Sequence, residues 1–210
     1  MSIKAIIFDL DNTLYDESVY ILAVFQLFAK NNQIDAAPVL SNYHKGLRKN
    51  NSDILEELLR MAGANNSANH IELFNYYASA SVDVSLAETI KSLLKELRDK
   101  GYKLGLLTNG VISVQQNKVR ILDVARYFDD IQYARSRGSE FEKPHQSAFK
   151  HSCMALGTEP HQTLMVGDDQ VNDIQGAVKV GLKTYYLGNE ITDEHTDLLG
   201  LPRWLLKNAN

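Results

Sequence analysis

The sequence predicts an α/β fold in which a parallel sheet, wound with helices on both faces, carries a small helical insertion. Three observations predict it. Five strand-length apolar runs recur along the chain, helix-period segments fall between the later runs, and the stretch over residues 16–82 holds helical patterns with no strand. Runs that are apolar throughout read as strands buried on both faces, and strand–helix alternation joins such strands through right-handed crossovers.

The runs are Ile3–Phe8, Lys103–Leu107, Ile131–Ala134, Thr163–Val166 and Lys183–Leu187. After the first, Ser18–Lys30 carries Val19, Leu22, Phe25 and Leu27, and Ser52–Met61 carries Ile54, Leu55, Leu58 and Leu59 behind a Ser-Asp start that can cap a helix. Further helices are expected over Ala37–Lys49 and Asn69–Ala80. Four short amphipathic helices can close a bundle of their own. The expected division is therefore an α/β core of residues 1–15 and 83–210 with a helical insertion of residues 16–82. In the core, Ser85–Lys100 places Leu86, Ile90, Leu93, Leu94 and Leu97 at helical spacing before Gly101. Helices over Ile112–Ala125, Gln146–Leu156 and Asn172–Val180 follow, and Gly157 and Gly181 stand where the last two should stop.

Composition bounds the function classes. With 210 residues, 44% hydrophobic and 23% charged, the chain is an ordinary globular protein able to bury a substantial core. A net charge of −4, from 22 basic and 26 acidic side chains with no dense Lys/Arg stripe, argues against a nucleic-acid-binding module. Cys153 is the only cysteine, so no internal disulfide forms, and it reads as a buried thiol in a reducing compartment. No basic-then-apolar leader opens the sequence, and no apolar segment approaches the ~20 residues that span a bilayer. The expectation is a cytoplasmic protein with no membrane partner.

The chemistry lies at the strand ends. Asp9-Leu10-Asp11-Asn12-Thr13 follows Ile6-Ile7-Phe8 at the carboxyl end of a buried strand, the end where open α/β sheets bind ligands. Two carboxylates at that spacing can serve one site, one as nucleophile or metal ligand and the other as proton carrier, though the same letters also make a good turn. Leu107-Thr108-Asn109-Gly110 runs a second strand into a hydroxyl and backbone N–H groups that suit a phosphate. Glu142-Lys143-Pro144 sets a cation before a proline expected to open the next helix. Val166-Gly167-Asp168-Asp169, followed by Asn172 and Asp173, gathers hard oxygen ligands suited to Mg²⁺. Each signal alone has a plainer reading: a turn, a solvated lysine, a helix N-cap. All of them at strand carboxyl ends, in an order one fold can converge on one crevice, are harder to assign to turns.

Over nearly its full length the chain resembles the haloacid dehalogenase-like superfamily of hydrolases. Asp9-x-Asp11-x-Thr13 resembles the first motif of that superfamily, Thr108-Asn109 the second, Lys143-Pro144 the third, and Gly167-Asp168-Asp169-x-x-x-Asp173 the fourth. The resemblance implies a Rossmann-like core with a helical cap inserted after the first motif. It also implies two-step phosphoryl transfer, with Asp9 as nucleophile and Asp11 protonating the leaving alcohol and then activating water. Mg²⁺ would be held by Asp9, the Asp11 main-chain carbonyl and Asp168. Thr108, the Asn109 backbone and Lys143 would hold the phosphoryl oxygens, and Asp173 would orient Lys143 or a metal-bound water. The implied function is that of a Mg²⁺-dependent phosphatase acting on a small phosphate ester.

A sugar phosphomutase on the same core is the alternative reading. A 2-haloacid dehalogenase has no alcohol to protonate, so Asp11 speaks against it, and a non-enzymatic binding protein needs no such set of Asp9, Asp11, Lys143 and Asp168. The insertion is expected to act as a lid that selects the substrate. Tyr15, Tyr43, His44, Lys45 and Arg48 are candidates to face the crevice, while Tyr43–Lys49 also reads as an exposed amphipathic face.

Overall fold

The computed structural model of the chain describes residues 2–44, 47, 53–188 and 198–208. Among them, β1 (Ala5–Phe8), β2 (Lys103–Thr108), β3 (Asp130–Tyr133), β4 (Thr163–Gly167) and β5 (Lys183–Tyr186) form one parallel sheet in the order β3-β2-β1-β4-β5. Every residue of β1 and β4 is buried, which is why these strands read as unbroken apolar runs. From β1 the order runs to β2 and β3 on one side and to β4 and β5 on the other, so β1 and β4 meet at the switch point, where open α/β sheets bind ligands at the strand carboxyl ends. Ala5, Ile7, Leu107 and Met165 pack on one face against Phe149 and Cys153 of helix Gln146–Ala155 and Ala177 of the short helix Gly176–Val180.

The helices end where the sequence allows them to. Helix Glu88–Asp99 stops at Gly101, whose φ of 87° a side chain would strain; Gly101 N–H bonds Arg98 O at 2.8 Å and Tyr102 N–H bonds Leu97 O at 3.2 Å. Gly157 and Gly181 close Gln146–Ala155 and Gly176–Val180 with the same pair of bonds.

The chain divides into two compact units, residues 1–16 with 85–210, and residues 17–84. The second is all-helical among its described residues, with helices Glu17–Asn31, Ala37–Asn42, Ile54–Met61 and Ser67–Ser79 burying Phe25, Phe28, Val39, Leu58, Leu59 and Leu73. Asp53 caps the third of these, accepting from Leu55 and Glu56 N–H. Ser52, the other residue of the expected cap, lies outside the described residues.

Several elements depart from expectation: the helix expected over Ile112–Ala125 stops at Ile121, and that expected over Ser85–Lys100 starts at Glu88. The helix expected over Ala37–Lys49 is broken after Asn42, where the Asn42 amide donates to Pro38 O at 2.7 Å and Tyr43 turns extended; Leu47 is helical, and residues 45, 46, 48 and 49 lie outside the described residues. The helix expected at Asn172 begins as a π-helical turn, Gln170–Gln175, before Gly176–Val180 continues it. Pro144 stands before, not inside, the helix Gln146–Ala155, whose cap residue is His145. A helix at Leu201–Asn208, not anticipated, buries Leu201 and Leu205 at i, i+4 spacing.

Candidate active site

β1 delivers Asp9 directly. Its N–H continues the ladder to Val166 O at 3.0 Å, and the chain then turns through Asn12, whose φ of 56° is one asparagine tolerates. The turn letters thus do make a turn, and its effect is to hold both carboxylates at the strand end.

Asp9 is buried, and its Oδ1 accepts from Lys143 Nζ at 2.5 Å. Lys143 Nζ also lies 2.7 Å from Asp173 Oδ1, so one buried cation joins a carboxylate from β1 to one from the π-helical turn after β4. The lysine that alone reads as solvated surface is 5% exposed. Its backbone is fixed from β2: Asn109 Nδ2 donates to Lys143 O at 2.8 Å and Asn109 Oδ1 accepts from Lys143 N–H at 2.9 Å. The Asn109 side chain therefore positions Lys143, a role beyond the backbone contact expected of it.

Asp173 depends on Gly167. A Cβ at 167 would lie 2.1 Å from Asp173 Oδ2 and 2.7 Å from its Cβ, so only glycine lets this carboxylate seat against the end of β4. Asp173 Oδ2 accepts from Asp169 N–H at 3.1 Å. The two readings of the acidic pair, ligand and cap, divide between its members. Asp169 caps the following turn by accepting from Val171 and Asn172 N–H, while Asp168 joins Asp9 and Asp173, with carboxylate oxygens of all three within 4.8 Å of one another.

Charge in this cluster is unbalanced. Burial pushes the Asp168 carboxyl up to about 6, and the Asp173 carboxylate adds to the rise against the pull of Lys143. Burial likewise raises Asp9 well above the usual carboxylate range; Lys143 opposes that rise, and Asp173 and Asp11 reinforce it. Lys143 is shifted upward despite its burial, because Asp173 and Asp9 both favour its charged form. Three crowded carboxylates, two of them displaced toward the protonated form, fit a hard divalent cation, which would restore ionisation.

Asp11 points to a different set of donors. Lys118 Nζ reaches both its oxygens, at 2.8 and 2.9 Å, Gln115 Nε2 reaches Oδ2 at 2.9 Å and Tyr15 OH reaches Oδ1 at 2.8 Å. Burial alone would raise its pKa, but Lys118, Gln115 and Tyr15 together bring it below the usual value. Gln115 Nε2 also donates to Thr108 Oγ1 at 2.6 Å, which links β1 and β2. The Asp11 side chain is thus not among the clustered carboxylates, leaving its main-chain carbonyl as the expected ligand atom.

Sequence reasoning passed over Gln115 and Lys118. Their signal is periodicity: Lys118 falls four residues after Val114 and four before Leu122, both buried, so it lies on the core face of helix Ile112–Ile121. Of the crevice candidates, Tyr15 touches Asp11, Tyr43 and His44 belong to the second unit or its loops, and Lys45 and Arg48 lie outside the described residues.

A family model described as haloacid dehalogenase-like hydrolase matches residues 6–187. A glyceraldehyde 3-phosphate phosphatase of Methanothermobacter thermautotrophicus is 26% identical, across 93% of this chain and 90% of its own. An N-acylneuraminate-9-phosphatase of Rattus norvegicus is 32% identical, across 86% of this chain and 80% of its own. Among solved structures, the magnesium-bound hydrolase YfnB of Bacillus subtilis shares the fold with a TM-score of 0.75 at 18% identity, covering 98% of this chain and 100% of its own. No helix among the described residues is long and apolar enough to cross a membrane.

Proposed function

The chain belongs to the haloacid dehalogenase-like hydrolase family, and we propose that it is a Mg²⁺-dependent phosphatase that cleaves a small phosphate monoester through a phosphorylated Asp9. The observation that carries this reading is the buried Lys143 Nζ placed 2.5 Å from Asp9 Oδ1 and 2.7 Å from Asp173 Oδ1. It sets a fixed cation beside the attacking oxygen, where an incoming phosphoryl group also needs a counter-charge. Relatives named as phosphatases support the same reaction class.

In the first step an Asp9 carboxylate oxygen bonds to phosphorus as the ester P–O bond breaks, and Asp11, ionised at rest and protonated from solvent before this step, gives that proton to the departing alkoxide. In the second, Asp11 takes a proton from water, the water oxygen bonds to phosphorus, and the Asp9–phosphate bond breaks to release inorganic phosphate. The Thr108 hydroxyl, the Asn109 backbone N–H and Lys143 are assigned to the phosphoryl oxygens, where charge must be stabilised through both steps. Asp9, the Asp11 carbonyl and Asp168 are assigned to Mg²⁺, with Asp173 orienting Lys143. When bound, the cation offsets repulsion between the carboxylate nucleophile and an anionic ester. The single cysteine, buried against Thr163, is consistent with a cytoplasmic setting.

The test is release of inorganic phosphate from 4-nitrophenyl phosphate by metal-stripped protein before and after Mg²⁺ is restored. Activity should vanish on stripping, return with Mg²⁺, and be absent from folded Asp9→Asn protein. Acid-quenched wild-type protein should carry phosphate on Asp9. Full turnover without metal, or by the Asp9→Asn protein shown to retain Asn, overturns the reading. Transfer of phosphate to a sugar hydroxyl instead of water would identify a mutase.

A further inference from the structure

Helix Ile112–Ile121 buries a lysine, which is costly for a charged group unless it is paired. Lys118 is 1% exposed and spends its ammonium on both oxygens of Asp11. A buried ion pair is weak grounds for stability, since an apolar pair of similar volume often does as well. Its partner suggests the reason for its presence: Asp11 is the residue assigned to proton transfer.

Gln115 sits three residues earlier on the same helix face and completes the arrangement. An ionised carboxylate only accepts, so the Gln115 amide must turn its NH₂ toward Asp11, and with its second hydrogen Nε2 donates to Thr108 Oγ1, 2.6 Å away. The Thr108 oxygen is thereby used as an acceptor. Among the described residues its own hydroxyl proton then has only the Asn109 carbonyl at 3.3 Å, a long contact, and is available to be donated to a phosphoryl oxygen.

We propose that Lys118 and Gln115 are positioning residues of the reaction, Lys118 holding the Asp11 carboxylate for proton transfer and Gln115 presenting the Thr108 hydroxyl as a phosphate donor. The proposal rests on the phosphatase reading above. All the groups involved lie in one compact unit, residues 1–16 and 85–210, and three are carried on a strand end or the helix that follows it. Rigid elements of this kind hold a reacting group within the narrow limits that catalysis needs.

The experiment compares Lys118→Met and Gln115→Leu with wild type on 4-nitrophenyl phosphate and phenyl phosphate at saturating Mg²⁺, with circular dichroism to establish folding. Phenoxide is the poorer leaving group and depends more on a well-placed acid. Lys118→Met should lower kcat roughly tenfold or more with KM within about twofold, and the loss should be several-fold greater for phenyl phosphate. Gln115→Leu should raise KM for both esters as well as lower kcat, because it also releases Thr108. If Lys118→Met does not fold, Gln115→Leu, which removes no charge, carries the test by that pattern. A folded variant with wild-type kinetics, or with equal losses on both esters and unchanged KM, overturns the proposal. Wild-type protein inactive on both esters would instead sink the phosphatase reading, and this inference with it.

Discussion

Asp168 shows how one residue can be costly to the fold and needed by the site. Its folded pKa of about 6 stands above the ~3.9 of an unfolded aspartate. Between those values the folded form binds the proton more tightly, so the contribution of Asp168 to the stability of metal-free protein is fully present below about pH 4 and is lost as pH rises through about 6. Asp168→Asn removes that titration. At pH 7 without metal it should melt a few degrees above wild type, for roughly 1 kcal/mol, and the margin should shrink toward pH 4. Mg²⁺ should raise the melting temperature of wild type and not of the variant, and its apparent affinity for wild type should weaken below about pH 6, where protons compete. Calorimetric melts across pH with and without Mg²⁺ check this; a variant no more stable than wild type at pH 7 would show that the cluster is not strained by its charge. The residue types alone could place Asp168 and Asp169 at the strand end but could not divide their roles; only the family resemblance singled out Asp168 for the metal. Identical side chains were separated by the backbone alone, which aims one at two N–H groups and the other at Asp9 and Asp173.

At the scale of elements, the strands were legible because both faces of the sheet are covered, so that Ala5–Phe8 and Thr163–Gly167 are buried at every position. Helix ends were legible where glycine marks them, as at Gly101. The π-helical turn was not, because nothing in Gln170–Gln175 distinguishes it from an α-helical start. What selects it is the tertiary position of Asp173: both Asp173 and Ile174 N–H reach back to Asp169 O, at 2.9 and 3.2 Å. Lys118 and Gln115 were hidden for a related reason, since their partner Asp11 is more than a hundred residues away and only the fold joins them. The turn also makes Gly167 a functional position. Gly167→Ala would drive a Cβ into the Asp173 carboxylate, whose Cβ leaves it no room to swing aside. Displacing Asp173 frees one side of Lys143, so turnover should fall about 10- to 100-fold, with about 1–3 kcal/mol lost in stability. Steady-state kinetics and a denaturant melt measure both, and wild-type turnover from Gly167→Ala would mean that Asp173 does not govern Lys143.

For the whole molecule, chain connectivity separates chemistry from whatever selects the substrate. Asp9, Asp11, Thr108, Asn109, Lys143, Asp168 and Asp173 all fall in the unit of residues 1–16 and 85–210, gathered at the carboxyl end of a parallel sheet. Residues 17–84 form a unit of their own, with its own packed aromatics: Tyr77 OH donates to Glu17 Oε1 at 3.0 Å, and the ring of buried Phe28 meets that of half-buried Tyr76 edge to face at 5.7 Å. This insertion leaves the chain between the Asp9–Asp11 turn and helix Glu88–Asp99. A unit that supplies none of the assigned reacting groups yet follows the nucleophile strand directly in the sequence is suited to choosing substrates, and we propose that specificity resides in it. Replacing residues 17–84 with the corresponding segment of a relative named as a phosphatase should change the order of preference across a panel of phosphorylated metabolites by tenfold or more in kcat/KM. The Mg²⁺ requirement and the loss of activity on Asp9→Asn should stay as they are in the parent. A folded chimera that keeps the parent's ranking would place discrimination in the α/β unit, among the side chains around Thr108 and Lys143, and would remove the insertion from any part in substrate choice.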